Sequence, residues 1–301
     1  MKSYSKKILK NLRRAIGVLI IAITPAVHSA DVPLAVKNLY YRCYYRGPSA
    51  SGEKADLAGT ERVVIGAQGS KIDLQMYASP TASQKIILYF HGNGETLADI
   101  SDLFILAQKE GVSIAAYDYP CFGRSQGVPS EETNVQAGVD VLKRIKAQFP
   151  QAKISLWGYS LGAGVAMAVY NRNLTTQAAD VSSMVLVSPW DSFQKLCNAV
   201  SPMSIFCSSQ KLSGNYYQLA AMASQVNVPT MVVYSKQDKL IPAAQSERVY
   251  SMIPKQFAFK IVEGGGGHNA IYTPDIFTSI LKFLKEDGLP DDSRVISGVP
   301  N

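Results

Sequence analysis

The nine residues Ile154-Ser155-Leu156-Trp157-Gly158-Tyr159-Ser160-Leu161-Gly162 carry the strongest structural signal in the chain. A short run suited to a buried strand leads into a G-x-S-x-G, and a helical pattern from Ser160 to about Tyr170 follows. A serine at such a strand-to-helix turn sits on a strained corner with its hydroxyl presented, and bulk two residues to either side would clash. The helix that starts there aims its N-terminal dipole at developing negative charge. In this context Ser160 reads as a nucleophile; without the context, G-x-S-x-G is only a glycine-rich turn.

The same strand-then-helix rhythm holds on both sides of the motif. Upstream, Val63–Ile65 and Ile72–Met76 suit an opening hairpin, and the apolar run Lys85–Phe90 stops at His91-Gly92-Asn93-Gly94. Residues 96–110 have helical spacing and end at Gly111; Val112–Tyr117 is again an apolar strand; Ser130-Glu131-Glu132 starts a helix whose apolar stripe runs from Val135 to Phe149. Downstream come strands at Met184–Val187, Thr230–Tyr234 and Phe257–Val262, with helices near Ala243–Met252 and Asp275–Leu284. Fully apolar strands alternating with helices predict an α/β fold with a mostly parallel sheet covered on both faces. Residues from about 190 to 228 interrupt the alternation and are expected to form a small helical cap. The chain therefore divides into a leader over 1–30, one domain over 31–289 and a flexible tail over 290–301.

Ligands of open α/β sheets bind beyond the carboxyl ends of the strands, so the polar residues just after each strand matter most. A serine nucleophile needs a base. His28 lies in the leader and His91 lies in an upstream loop, which leaves His268, late in the chain behind Gly264–Gly267. The acid that orients the imidazole is expected to be Asp238, in the loop after Thr230–Tyr234, with Asp191 as the alternative. Asp180 and Glu247 lie at the wrong edge and in mid-helix, and Glu263 is too close to His268. The order Ser, Asp, His is that of α/β-hydrolases. Backbone N–H donors for an oxyanion are expected from Leu161, after the nucleophile, and from Asn93, with Gly94 next in line. His91 then braces that loop.

Residues 85–285 resemble the α/β-hydrolase superfamily, and in particular its small serine-hydrolase branch. The resemblance rests on His91-Gly92-Asn93, on Asp118-Tyr119-Pro120-Cys121-Phe122-Gly123-Arg124-Ser125-Gln126-Gly127, on Ser160, on Asp238 with Ile241-Pro242, and on His268-Asn269. Cys121 stands where that branch has a glycine, which bears on the path of its loop. The resemblance implies an eight-stranded sheet and a hydrolase without metal or cofactor, in a branch that includes esterases, thioesterases and peptidase-like members. The leading expectation is an ester or related acyl hydrolase acting on a small-molecule acyl substrate. Apolar residues of the cap, such as Phe193, Leu196 and Tyr217, either line an acyl pocket or pack the cap onto the body.

Of 301 residues, 30 are Lys or Arg and 23 Asp or Glu, a formal +7 that invites a nucleic-acid reading. Six of the basic residues fall within the first fourteen positions and no acid precedes Asp31, so the body is close to neutral and offers no footprint for a polyanion. That basic start, the apolar run Ala15–Val27 and Ala30 read as a secretory signal cleaved after Ala30 or Ala26. The protein is then exported, to the periplasm or outside the cell; if the segment stays uncleaved, it anchors the chain to a membrane. Export permits disulfides, and Cys197 with Cys207 is the natural local pair among four cysteines, the alternative being buried thiols.

Overall fold

In the computed structural model, residues 57–67, 70–80, 84–177, 179–199, 217–263, 265–288 and 295–297 are described. The leader, residues 200–216 of the expected cap, Cys43, Cys207 and the side chain of Cys197 lie outside the described residues, and with them the expected disulfide.

The described elements run β1 (Glu61–Ala67), β2 (Ser70–Tyr77), β3 (Lys85–Phe90), α1 (Ser101–Lys109), β4 (Ser113–Tyr117), α2 (Glu131–Gln148), β5 (Lys153–Tyr159), α3 (Leu161–Thr176), β6 (Val181–Val187), α4 (Phe193–Ala199), α5 (Leu219–Ala223), β7 (Thr230–Ser235), α6 (Ala243–Met252), β8 (Ala258–Glu263), α7 (Pro274–Glu286) and β9 (Val295–Ser297). They build one sheet in the order β1-β2-β4-β3-β5-β6-β7-β8-β9. Only the β1–β2 and β2–β4 pairings are antiparallel; every other neighbour is parallel.

The strands β3 to β7 are buried on both faces, and their side chains divide by the period of two. Leu88, Leu156, Leu186 and Val232 join one apolar cluster with Leu142 of α2, Val165 of α3 and Val249 of α6. Their neighbours Tyr89, Trp157, Val185 and Val233 join the other, with Phe104 of α1 and Ile280 and Phe283 of α7. The Ser130 side chain caps α2 in a reciprocal pair with Thr133, and Thr273 caps α7 ahead of Pro274 at its start.

Three boundaries differ from the sequence reading. The helix expected over 96–110 begins only at Ser101, because Thr96 bonds Asp99 through both its N–H and its hydroxyl, and the Leu97 N–H goes to Asp118. Ser160 caps α3 instead of belonging to it. The tail expected to be flexible over 290–301 contains β9, a ninth strand beside the eight expected. Val295–Ser297 pair with Lys260–Val262, since the edge of β8 offers unpaired backbone groups to a β-prone Val-Ile segment.

Candidate active site

Strands β5, β7 and β8 bring their carboxyl ends to one edge, and the site is assembled there. At the end of β5, Ser160 takes φ 55° and ψ −113°, outside the regions an L-residue occupies without strain. Its N–H donates to Val187 O (2.9 Å), and its carbonyl accepts from Ala163 N (3.0 Å) and from the Trp190 indole N–H (3.1 Å). A Cβ on Gly162 would collide with the carbonyl oxygen of Phe90, and one on Gly158 with the backbone at Gly162. The flanking glycines thus let α3 lie tightly on the strands.

From the far end of the chain, the loop after β8 brings His268 above the serine. His268 Nε2 lies 3.0 Å from Ser160 Oγ, and Nδ1 lies 2.7 Å from Asp238 Oδ2. A carboxylate accepts only, so Nδ1 carries the proton and Nε2 faces the serine hydroxyl as acceptor. Asp238 Oδ1 takes the backbone N–H groups of Leu240 (2.9 Å) and Ile241 (2.8 Å). Burial alone would push this carboxyl up, but the His268 N–H and the backbone donors outweigh it and hold Asp238 below the usual carboxylate range. The group stays ionised, fixed and aimed at the imidazole.

The other aspartate considered, Asp191, is not brought to His268. Its side chain pairs with Lys195 one turn along α4. Glu247 accepts the Tyr234 hydroxyl at 2.9 Å.

Opposite the serine, the His91–Gly94 loop is braced from below. His91 is fully buried, and its Nδ1–H donates to Gly92 O at 2.9 Å. Burial lowers the imidazole's proton affinity, so His91 stays neutral and Nε2 is a bare lone pair. Asp118 Oδ1 lies 3.7 Å from that nitrogen. Burial pushes the Asp118 carboxyl up to about 6, against the pull of the Leu97 N–H. The Tyr119 hydroxyl holds His91 O at 2.8 Å, and Glu95 Oε2 takes the Gly92 N–H at 2.6 Å. The Gly92 N–H is thereby committed, and Leu161 stands at the first position of α3.

Cys121 takes φ 71°, a glycine-like conformation, so the loop keeps a turn of that kind with a cysteine in it. Sequence reasoning did not find Trp190, Tyr159 or Glu95 as supports; the first two act on partners distant in the chain, and Glu95 acts within its own loop. The one available hint is that aromatic residues fall at the ends of β5 and β6. Among the described residues, no three His, Cys, Asp or Glu side chains converge to hold a metal ion, and no helix is long and apolar enough to cross a membrane.

Residues 81–218 match the family model described as serine aminopeptidase, S33. The Escherichia coli K12 protein YfhR, uncharacterized, is 25% identical over 208 residues, 66% of this chain and 70% of that one. A lysophosphatidylserine lipase, ABHD12 of Macaca fascicularis, is 26% identical over 192 residues, 60% of this chain; the match spans about half (48%) of the lipase. Among solved structures, the Pyrococcus furiosus esterase Pf2001 superposes with a TM-score of 0.60 at 18% identity, over 80% of this chain and 96% of the esterase. Est1E of Butyrivibrio proteoclasticus, solved with ferulic acid, gives 0.61 at 12% identity, over 75% of this chain and 98% of that one. At such identities the likeness is one of fold.

Proposed function

We propose that this chain, an α/β-hydrolase by its sheet order and its matches, is a serine hydrolase that cleaves carboxylic esters or related acyl bonds. The single observation that carries the reading is the hydrogen-bonded line from Ser160 Oγ through His268 to Asp238, at 3.0 and 2.7 Å. Ser160 Oγ attacks the acyl carbon while His268 Nε2 takes its proton, and the C=O pair moves onto oxygen. The N–H groups of Asn93 and Leu161 receive that oxyanion. On collapse the bond to the leaving group breaks and His268 returns the proton to it, leaving an ester on Ser160. Water, deprotonated by His268, then repeats the sequence and releases the acid. Asp238 stays ionised and steadies the imidazolium formed in each half.

The substrate is a small acyl compound, and nothing in the near-neutral body favours nucleic acid. The proposed setting is export, with membrane contact only through an uncleaved leader. The lipase name among the relatives makes lysophospholipids the first natural esters to try, and the family description makes aminoacyl amides the competing class.

A fluorophosphonate probe tests the reading. It should label wild-type protein at Ser160 and leave Ser160→Ala unlabelled. A panel of p-nitrophenyl esters of rising chain length, lysophospholipids, acyl-CoAs and aminoacyl amides then ranks the bonds. An unlabelled protein inert to the panel would instead be a binding protein on a hydrolase scaffold.

A further inference from the structure

His268 reaches the serine from a loop containing Gly264–Gly267, a run with maximal backbone freedom. Its position over Ser160 therefore depends on anchors elsewhere. The Ser235 hydroxyl donates to the carbonyl of Gly266. The second anchor comes from the residue beside the nucleophile. Tyr159 Oη donates to the carbonyl of His268 itself at 3.0 Å and lies 3.4 Å from Asn269 Oδ1. The Tyr159 ring stacks on the His268 imidazole, with centroids 5.4 Å apart and planes 29° apart. The ring also meets Tyr272, tilted by 57° with centroids 5.6 Å apart. A Cβ on Gly92 would lie only 3.0 Å from the Tyr159 ring, so the oxyanion loop is packed against the same side chain.

We propose that Tyr159 is a positioning residue for the base: its hydroxyl and ring, fixed at the end of β5, set the height of His268 Nε2 over the neighbouring Ser160 Oγ. The proposal rests on the serine-hydrolase reading for its catalytic consequence, though not for its geometry. Burial raises the proton affinity of the phenolate, so the hydroxyl remains a donor throughout the working range of an imidazole base. Because Tyr159 and Ser160 are consecutive residues, the base is gauged directly from the strand that carries the nucleophile. A base tied only through its glycine loop would have no such reference.

The test is Tyr159→Phe, which removes one oxygen and keeps the ring, with Tyr159→Leu removing both contacts. Misplacing a reacting group by a fraction of an ångström to 1 Å lowers turnover, so kcat of Tyr159→Phe on a p-nitrophenyl ester should fall by about 10–100-fold. KM should stay within about twofold, since the residue acts through His268 and not on the substrate. Tyr159→Leu should fall further. In a His268→Ala background, Tyr159→Phe should have almost no additional effect. A second readout does not need turnover: the low-field proton resonance of the His268 N–H bonded to Asp238, identified by its loss in His268→Ala, should broaden or shift in Tyr159→Phe. The proposal is overturned if kcat and the resonance of Tyr159→Phe match wild type, or if the fall in kcat is just as large without His268. If Ser160→Ala is as active as wild type, the hydrolase reading fails, and the resonance alone decides the place of Tyr159.

Discussion

Trp190 donates its indole N–H to the carbonyl oxygen of Ser160 at 3.1 Å, although thirty residues and a whole strand separate them in the chain. The link holds the Ser160 peptide from the β6 side, and the indole is completely buried against α3. Gly164, on the first turn of α3, leaves the space for it, since a Cβ there would run into the indole ring. Gly164→Ala should therefore displace Trp190 and cost about 1–3 kcal/mol, the usual penalty for overpacking. Trp190→Phe leaves the Ser160 carbonyl with Ala163 alone and should cost at least about 1 kcal/mol for the lost bond. Urea midpoints should drop in both variants, and fluorophosphonate labelling should slow. Wild-type midpoints and labelling rates in both would remove Trp190 from the support of the elbow.

Backbone strain distinguishes two other residues. At φ 55° and ψ −113° Ser160 stores strain, of the order of about 1–3 kcal/mol. That exceeds the unfolded-state entropy of about 0.4–1 kcal/mol that a glycine adds. Ser160→Gly should thus melt higher than wild type while being inactive, and Ser160→Ala should be inactive without that gain. Cys121, at φ 71°, sits in the left-handed region, where strain and glycine entropy are each about 1 kcal/mol and nearly cancel. Cys121→Gly should be close to neutral and keep its activity. A Ser160→Gly protein that melts below Ser160→Ala would contradict the strain account.

The periodic apolar runs made the strands and most helices legible, because Leu156 and Trp157 must face opposite clusters of one buried sheet. Ser160, Asp238 and His268 were legible for a related reason: each follows a strand run, and parallel strands bring those ends to one edge. Trp190, Tyr159 and Glu95 were not. Trp190 and Tyr159 act on partners 30 and 109 residues away, brought near by a strand order that periodicity does not give, and Glu95 acts within its own loop, where no periodic pattern points to it. The late start of α1 was hidden similarly, since the Leu97 N–H is taken by Asp118, which arrives from the next strand. The cleaved leader and the Cys197–Cys207 pair rest on residues outside those described and stay expectations.

The two aspartates considered for the acid should separate clearly by mutation. Asp238→Asn presents an amide to His268 and favours the wrong tautomer, so kcat should drop on the order of 10⁴-fold. Asp191→Asn loses the pair with Lys195, whose ammonium is largely exposed, and should leave kcat nearly unchanged. Stability carries a second signature. Asp238 is held below its ordinary pKa in the fold, so its contribution is present above the unfolded value of about 3.9 and fades only as pH falls through the lower folded value. The stability gap between wild type and Asp238→Asn should therefore close in acid, as pH falls through the folded-state value. A crippled Asp191→Asn beside an active Asp238→Asn would reverse the assignment.

Asp118 should show the opposite pH dependence. Its carboxyl is buried beside the His91–Gly94 loop, with its folded-state pKa raised from 3.8 to about 6 by that burial. A raised carboxyl binds its proton more tightly folded than unfolded. Its contribution is fully present below pH 3.8 and is lost as pH rises through about 6. Between those limits the loss amounts to about 3 kcal/mol, taking 1.36 kcal/mol per pKa unit. Asp118→Asn keeps an acceptor for the Leu97 N–H and cannot ionise. The stability of Asp118→Asn relative to wild type should therefore climb by most of that amount from pH 4 to pH 7, read from urea midpoints at each pH. A difference that stays flat across this range would mean that Asp118 ionises as readily in the fold as in the unfolded chain. The brace under His91 would then be an ordinary charged carboxylate.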